Sequence, residues 1–297
     1  MKHKLSITLI LLAMFLVAQI IGLAVINSYT EKDLPYGMQP ADDFEQMSSL
    51  SKIISIMISL TIAIALIFIL MKFKWKFIFK AWFFVVIILA LSIAINSLLQ
   101  NWVVSATIIS LIIAIPLAIF KIYKPNILVH NATELLIYPG IAAVFVPILS
   151  IWSIIVLLII ISIYDMWMVW KTGLMQKMAK FQMNELKIFG GFLIPYASKK
   201  VKQQIQKLRK SKSKKAKNKK FKVSLAILGG GDVVFPIITA GIFLRALGLA
   251  HALFIVGGAL AGLIFLFSQT EPKKSYPAMP YITIGMFIAM ILAYLIL

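Results

Sequence analysis

The feature that most constrains this chain is a recurrence of continuous apolar stretches, each close to the length that crosses a bilayer. A transmembrane α-helix needs about 20 mainly apolar residues. By that measure nine stretches qualify: Leu5–Ile26, Ile53–Met71, Ala81–Leu99, Trp102–Phe120, Asn131–Leu149, Ile151–Trp170, Val223–Leu244, Leu249–Ser268 and Ala278–Leu297. Hydrocarbon offers no water to a free peptide group, so each should be helical. The runs are unbroken rather than alternating, which excludes an outer-membrane barrel. With 61% hydrophobic and 13% charged residues, the chain is too apolar for a soluble enzyme, a disordered tail or a nucleic-acid-binding domain. The expected fold class is an all-α membrane protein with nine transmembrane helices, multi-pass in a cell membrane.

Two stretches need comment. The fifth contains Pro139, Gly140 and Pro147 and should be short or kinked, because proline removes a backbone donor. The first follows Lys2 and Lys4 as a signal peptide would. It is longer than a signal h-region of about 7–15 residues, and no small-x-small cleavage site follows it.

Positive charge orients the spans. With a cytoplasmic N-terminus, all but Lys32, Lys52 and Arg245 of the 30 lysines and arginines lie in inside segments. An odd number of spans then leaves the C-terminus, Leu297, outside. The expected organisation is 1–170, six helices; 171–222, a cytoplasmic basic loop, partly disordered; and 223–297, three helices. Within the loop, Lys207–Lys222 has almost no apolar residues, and its charge suits anionic lipid better than nucleic acid. Ile188–Ala197 is apolar but too short to span, so it should dip into the interface.

The acids locate the chemistry. There are ten, five of them in the outward loop Asn27–Lys52 and two, Glu185 and Glu271, in inside loops. Glu134, Asp165 and Asp232 fall within spans, where an ionisable group is costly and is a functional candidate by default. Asp165 lies near the cytoplasmic end of the sixth span. Asp232 lies about ten residues into the seventh, so their depths are roughly 8 and 14 Å at 1.5 Å per residue. Consecutive antiparallel spans are natural neighbours. Two carboxylates meeting in low dielectric hold one proton between them, and that pair can act as base towards water and acid towards a carbonyl oxygen. The alternative is that each aspartate pairs with a lysine or caps a helix. Few bases are available, since the one buried base expected in the spans is Arg245.

Three local patterns surround these acids. Gly229, Gly230 and Gly231 precede Asp232, and glycine lets backbones approach closely and a helix unwind. Tyr164 precedes Asp165, where its hydroxyl could bond near the pair. Pro277, Ala278 and Met279, followed by Pro280, open the ninth span, leaving backbone groups that a substrate strand could use. Each also has a structural reading: tight packing, an incidental dipeptide, and a proline-initiated helix.

Taken in order, Tyr164-Asp165, Gly229-Gly230-Gly231-Asp232 and Pro277-Ala278-Met279 resemble the YD, GxGD and PAL motifs of the presenilin and signal peptide peptidase family of intramembrane aspartyl proteases. The last differs, with Met279 where leucine is usual, a swap that conserves volume. The resemblance extends over the whole nine-span layout. It implies that Asp165 and Asp232 are catalytic and that Pro277–Met279 shapes the site and helps to dock substrate. It also implies that substrates are transmembrane-helix proteins and that no cofactor or metal is required. The lysine bias agrees with the presenilin orientation; the chain resembles a microbial, archaeal presenilin homologue, and its lysine- and isoleucine-rich usage fits a microbe.

Other chemistry finds less support. With no cysteine, disulfides and thiolate sites are absent. No H-E-x-x-H occurs, and His130 and Glu134 lack a third ligand in view. Gly258 and Gly262 suit close helix packing within the chain or between copies, leaving a homo-oligomer possible. A prepilin-type leader peptidase and a proton-coupled transporter or channel, with Glu134 joining the aspartates, stay open as alternatives.

Overall fold

The computed structural model describes residues 5–38, 47–73, 75–124, 126–172, 182–183, 188–196, 224–270 and 276–297. Among them are nine long α-helices: α1 Leu5–Ser28, α2 Ser49–Lys72, α3 Lys76–Leu99, α4 Ala106–Tyr123, α5 Ile127–Phe145, α6 Ile151–Trp167, α7 Gly230–Leu247, α8 Leu249–Gln269 and α9 Met279–Ile296. Eight are long and apolar enough to cross a membrane. The other, α2, has 24 residues and so a length of about 36 Å. The expected all-α membrane fold is therefore what the chain adopts.

Helix starts follow local chemistry. Asn126 caps α5 by accepting from the Leu128 N–H at 2.9 Å, and Ser150 caps α6 by accepting from Ser153 at 3.2 Å. Pro139 lies inside α5 without ending it. The next residue, Gly140, lies so close to the Ala90 backbone of α3 that a side chain would not fit. Between α7 and α8 the chain reverses at Gly248, whose φ of 92° suits glycine.

The centre of the bundle is built from α1, α5 and α7, which pack on one another. Phe15, Leu11 and Ile237 are among the fully buried side chains there. On one flank α3 pairs with α4, and on the other α8 pairs with α9. Gly258 and Gly262 serve that second pairing within the chain, meeting the α9 backbone at Gly285 and Tyr281. The sixth helix packs mainly on α9, and it touches α7 and α2.

Two sequence expectations are corrected. Residues 224–229 are not helical: Ser224–Gly229 is a β-strand, β2, and α7 begins only at Gly230. The segment expected to dip into the interface is likewise a strand, β1, Gly191–Tyr196, antiparallel to β2 with Gly191 opposite Gly229 and Tyr196 opposite Ser224. The cause is legible afterwards. Three consecutive glycines are poor helix formers, while Ala226 and Leu228 are buried and Ile227 is 40% exposed, the alternation of a strand. An apolar run of this length does not separate strand from helix by periodicity alone. The strands satisfy each other's backbones, as non-helical chain near a membrane must. The basic tract Lys207–Lys222 lies outside the described residues.

Candidate active site

Asp165 stands in the last turn of α6 and is 5% exposed. One turn earlier, the buried Ser162 hydroxyl donates to Thr283 Oγ1 of α9 at 2.9 Å, fixing the two helices against each other. That contact aims Asp165 at the start of α9. Its Oδ2 accepts the Met279 N–H at 3.1 Å, and the Ala278 N–H also points at the carboxylate. The first amides of a helix have no partner inside it, and the helix dipole favours an anion there. Pro280, at the second position of α9, has no N–H to offer, so Met279 supplies the donor. After Asp165 the chain runs into a π-helical turn, Met168–Thr172.

Asp232 is the third residue of α7, in the first turn, rather than ten residues into a helix as expected. Its carboxylate turns back onto the N–H of Gly229, the residue that caps α7. This is half of a capping box, in which an acid at the third helical position accepts from the capping residue. The strand pair feeds straight into it, since the Gly230 N–H continues the ladder by donating to the Gly190 carbonyl at 3.2 Å. From α1, the buried Gln19 side chain donates to the Val233 carbonyl at 3.1 Å, locking the same turn from the opposite side.

The three glycines have three different surroundings. A Cβ on Gly229 would lie 3.0 Å from Asp232 Oδ2. On Gly230 it would lie 3.0 Å from the Tyr138 ring of α5, whereas on Gly231 it would meet nothing nearer than Phe235 at 3.9 Å.

The two acids come within electrostatic reach of each other. Tyr164 is part-buried and close enough to interact with the Asp165 charge. Pro277, Ala278 and Met279 are all buried, and two of them meet Asp165 through the main chain. The candidates read from the sequence therefore converge at one end of the bundle, where α6, α7 and α9 come together.

Sequence reasoning missed the polar support behind β1, and it misjudged the bases. Arg245 is exposed, while Lys121 of α4 is 6% exposed and pairs with Glu134 of α5 at 2.8 Å. Lys121 also reaches Thr133 and His130, each at 3.3 Å. His130 Nε2 then meets the Gly191 carbonyl at 2.8 Å. Asn131 clamps Leu193 twice, donating to its carbonyl at 2.8 Å and accepting its N–H at 3.0 Å. The signal was present: Lys121 stands near the end of one apolar run and His130, Asn131, Thr133 and Glu134 near the start of the next. Counting Lys121 as a loop charge hid it. His130 and Glu134 do share a helix face, but Glu134 is engaged by the lysine.

Residues 12–297 match a family profile described as signal-peptide peptidase, presenilin aspartyl protease. No curated protein sequence matches the chain. Among solved structures, a presenilin family intramembrane aspartate protease in a C222 crystal form superposes with a TM-score of 0.62 at 18% identity, covering 98% of this chain and 99% of that one. A presenilin family intramembrane aspartate protease in a P2 crystal form gives the same score and identity, covering 97% of each chain. These two structures share the fold, and the profile spans nearly the whole sequence, so the chain belongs to the signal-peptide peptidase and presenilin family of aspartyl proteases.

Proposed function

We propose that this intramembrane aspartyl protease cuts peptide bonds inside the transmembrane segments of other proteins, with Asp165 and Asp232 as its catalytic pair. The observation that carries the reading is the approach of two carboxylates, from α6 and α7, to within electrostatic reach of each other in a bilayer-spanning bundle. The pair holds one proton. The ionised acid takes a proton from water as the water oxygen attacks the scissile carbonyl carbon, and the protonated acid gives its proton to the carbonyl oxygen. The resulting gem-diol then collapses: the acid that took the water proton gives it to the departing nitrogen, the C–N bond breaks, and the other, now ionised, acid takes a hydroxyl proton as the product carboxyl forms, so the pair is left with one proton again. Backbone donors at Met279 and Gly229 orient the carboxylates throughout.

A helical substrate must unwind before its carbonyl can meet the water. The outer edge of β2, which among the described residues pairs with β1 alone and runs to the Asp232 turn, offers main-chain groups to such a strand. Pro277, Ala278 and Met279 shape the other side of the site, and Tyr164 flanks Asp165. The lysine bias supports a cytoplasmic N-terminus, an outside C-terminus and a site near the cytoplasmic face of a cell membrane, and the net positive charge of the sequence 207–222 suits anionic lipid as a partner. Any homo-oligomer would need a surface other than Gly258 and Gly262.

The test is cleavage of single-span substrates in proteoliposomes. Asp165→Asn and Asp232→Asn should each abolish turnover in a protein that still folds, and retained proteolysis in either variant overturns the assignment. Cleavage of basic leader peptides in preference to single-span substrates would support a leader peptidase instead.

A further inference from the structure

One buried polar group near the site has no explanation so far. Tyr138, on α5, is 3% exposed, and its hydroxyl oxygen is buried without a hydrogen-bond partner among the described residues. Such a group is costly in an apolar interior, so a bare packing role would be served better by phenylalanine. The ring is held on both sides. Its edge meets Phe192 of β1, with centroids 5.5 Å apart and planes at 82°. Its other side lies against the first residue of α7, where a Cβ on Gly230 would stand 3.1 Å from the hydroxyl oxygen. The phenol is thus fixed beside the turn that carries Asp232, and it interacts electrostatically with both Asp232 and Glu134.

Glu134 is one helical turn before Tyr138 and is the obvious acceptor for its proton. It is instead bonded to Lys121 at 2.8 Å, with His130 at 3.7 Å; it lies near enough to the phenol to interact with it, more strongly than Asp232 does, but without the distance and angle of a full hydrogen bond. With Glu134 drawn to Lys121 through Oε1, the Tyr138 O–H completes no hydrogen bond among the described residues and has a proton to donate. The remaining anionic acceptor within its electrostatic reach is Asp232. The Asp232 side chain accepts from Gly229 and has a further oxygen to offer.

We propose that Tyr138 is a positioning residue of the protease. Its hydroxyl donates to the Asp232 carboxylate and holds that group towards Asp165, while the Lys121–Glu134 pair keeps the phenol proton available. The proposal rests on the reading of Asp232 as one of the catalytic pair. Glycine at 230 has a role in it, because any side chain there would come between the phenol and the turn.

The test is Tyr138→Phe, which removes one oxygen and keeps the ring. A hydrogen bond to a charged group, present in the transition state, is worth about 10–100-fold in rate. The expected result is a fall of that size in kcat with KM unchanged and a thermal midpoint no lower than that of the parent. Wild-type kcat in Tyr138→Phe, alongside an inactive Asp232→Asn, overturns the proposal and leaves the protease reading intact. Turnover in Asp232→Asn overturns the protease reading itself. An infrared arm then still decides the contact: the carboxyl band that disappears in Asp232→Asn should shift in Tyr138→Phe, and an unshifted band sinks the hydrogen bond.

Discussion

The two candidate acids reach the same place by opposite routes. Asp165 is held across the fold: its partner Met279 is 114 residues away, and the contact depends on the packing of α6 against α9, to which the Ser162–Thr283 hydrogen bond contributes. Asp232 is held locally, by the Gly229 N–H three positions earlier, at a strand-to-helix junction. Both carboxylates lie at a helix N-terminus, where the backbone favours negative charge. One arrangement depends on packing, the other on a short stretch of sequence. The local one is nonetheless braced, from α5 through β1 and from α1 through Gln19.

This contrast is broken most sharply by removing each acid. Neutralising either one should lower turnover by on the order of 10²–10⁴-fold, the usual worth of a general acid or base. Stability should separate them. Asp165→Ala leaves the start of α9 uncapped and loosens a contact between distant helices, at a cost of about 0.5–2 kcal/mol. Asp165→Asn keeps an oxygen for the Met279 N–H and should lose less. Thermal unfolding in detergent, run beside the activity assay, compares the two; equal midpoints for Asp165→Ala and Asp165→Asn would mean that the cap contributes nothing.

The brace behind Asp232 predicts the next largest effect. Lys121→Met strands the buried Glu134 carboxylate, and breaking a buried pair from one side costs about 3–5 kcal/mol. Lys121→Met combined with Glu134→Gln removes both charges and should recover most of that loss. A double variant as unstable as the single one would show that the lysine acts through something other than Glu134.

A smaller effect distinguishes two adjacent glycines. Gly230→Ala drives a methyl group to 3.0 Å from the Tyr138 ring, so overpacking of about 1–3 kcal/mol is expected, together with reduced turnover. Gly231→Ala meets only Phe235 at 3.9 Å and replaces a poor helix former in the first turn of α7. It should stabilise the helix by up to about 1 kcal/mol with turnover retained. If the two variants behave alike, the crowding at Gly230 is not what the glycine is for.

These glycines also mark where the sequence stops being legible. The apolar runs foretold the bundle because hydrocarbon leaves a chain few choices. The scarcity of acids within them singled out Asp165 and Asp232. The strand at 224–229 was hidden because a short apolar run bounded by glycines reads equally as helix, and only its pairing with Gly191–Tyr196 decides the matter. Lys121 was hidden because its partner Glu134 lies on the next helix, and Tyr138 because a lone tyrosine in an apolar span looks like packing. What a side chain faces across the bundle is a property of helix rotation, which composition does not carry.

The smallest effect concerns Met279, the position that departs from the family motif. Its side chain is 3% exposed, so it packs in the interior beside the site. Its contact with Asp165, however, is made by the main-chain N–H at 3.1 Å, a group that every residue except proline supplies. Met279→Leu therefore leaves the donor in place and changes only packing. Swaps that conserve volume usually cost less than about 1.5 kcal/mol. Turnover of single-span substrates by Met279→Leu should stay within about tenfold of the parent, the rate equivalent of that figure. A larger loss, with the fold intact, would mean that the methionine side chain itself reaches the substrate or the acid, and the motif would then be read through its side chains rather than its backbone.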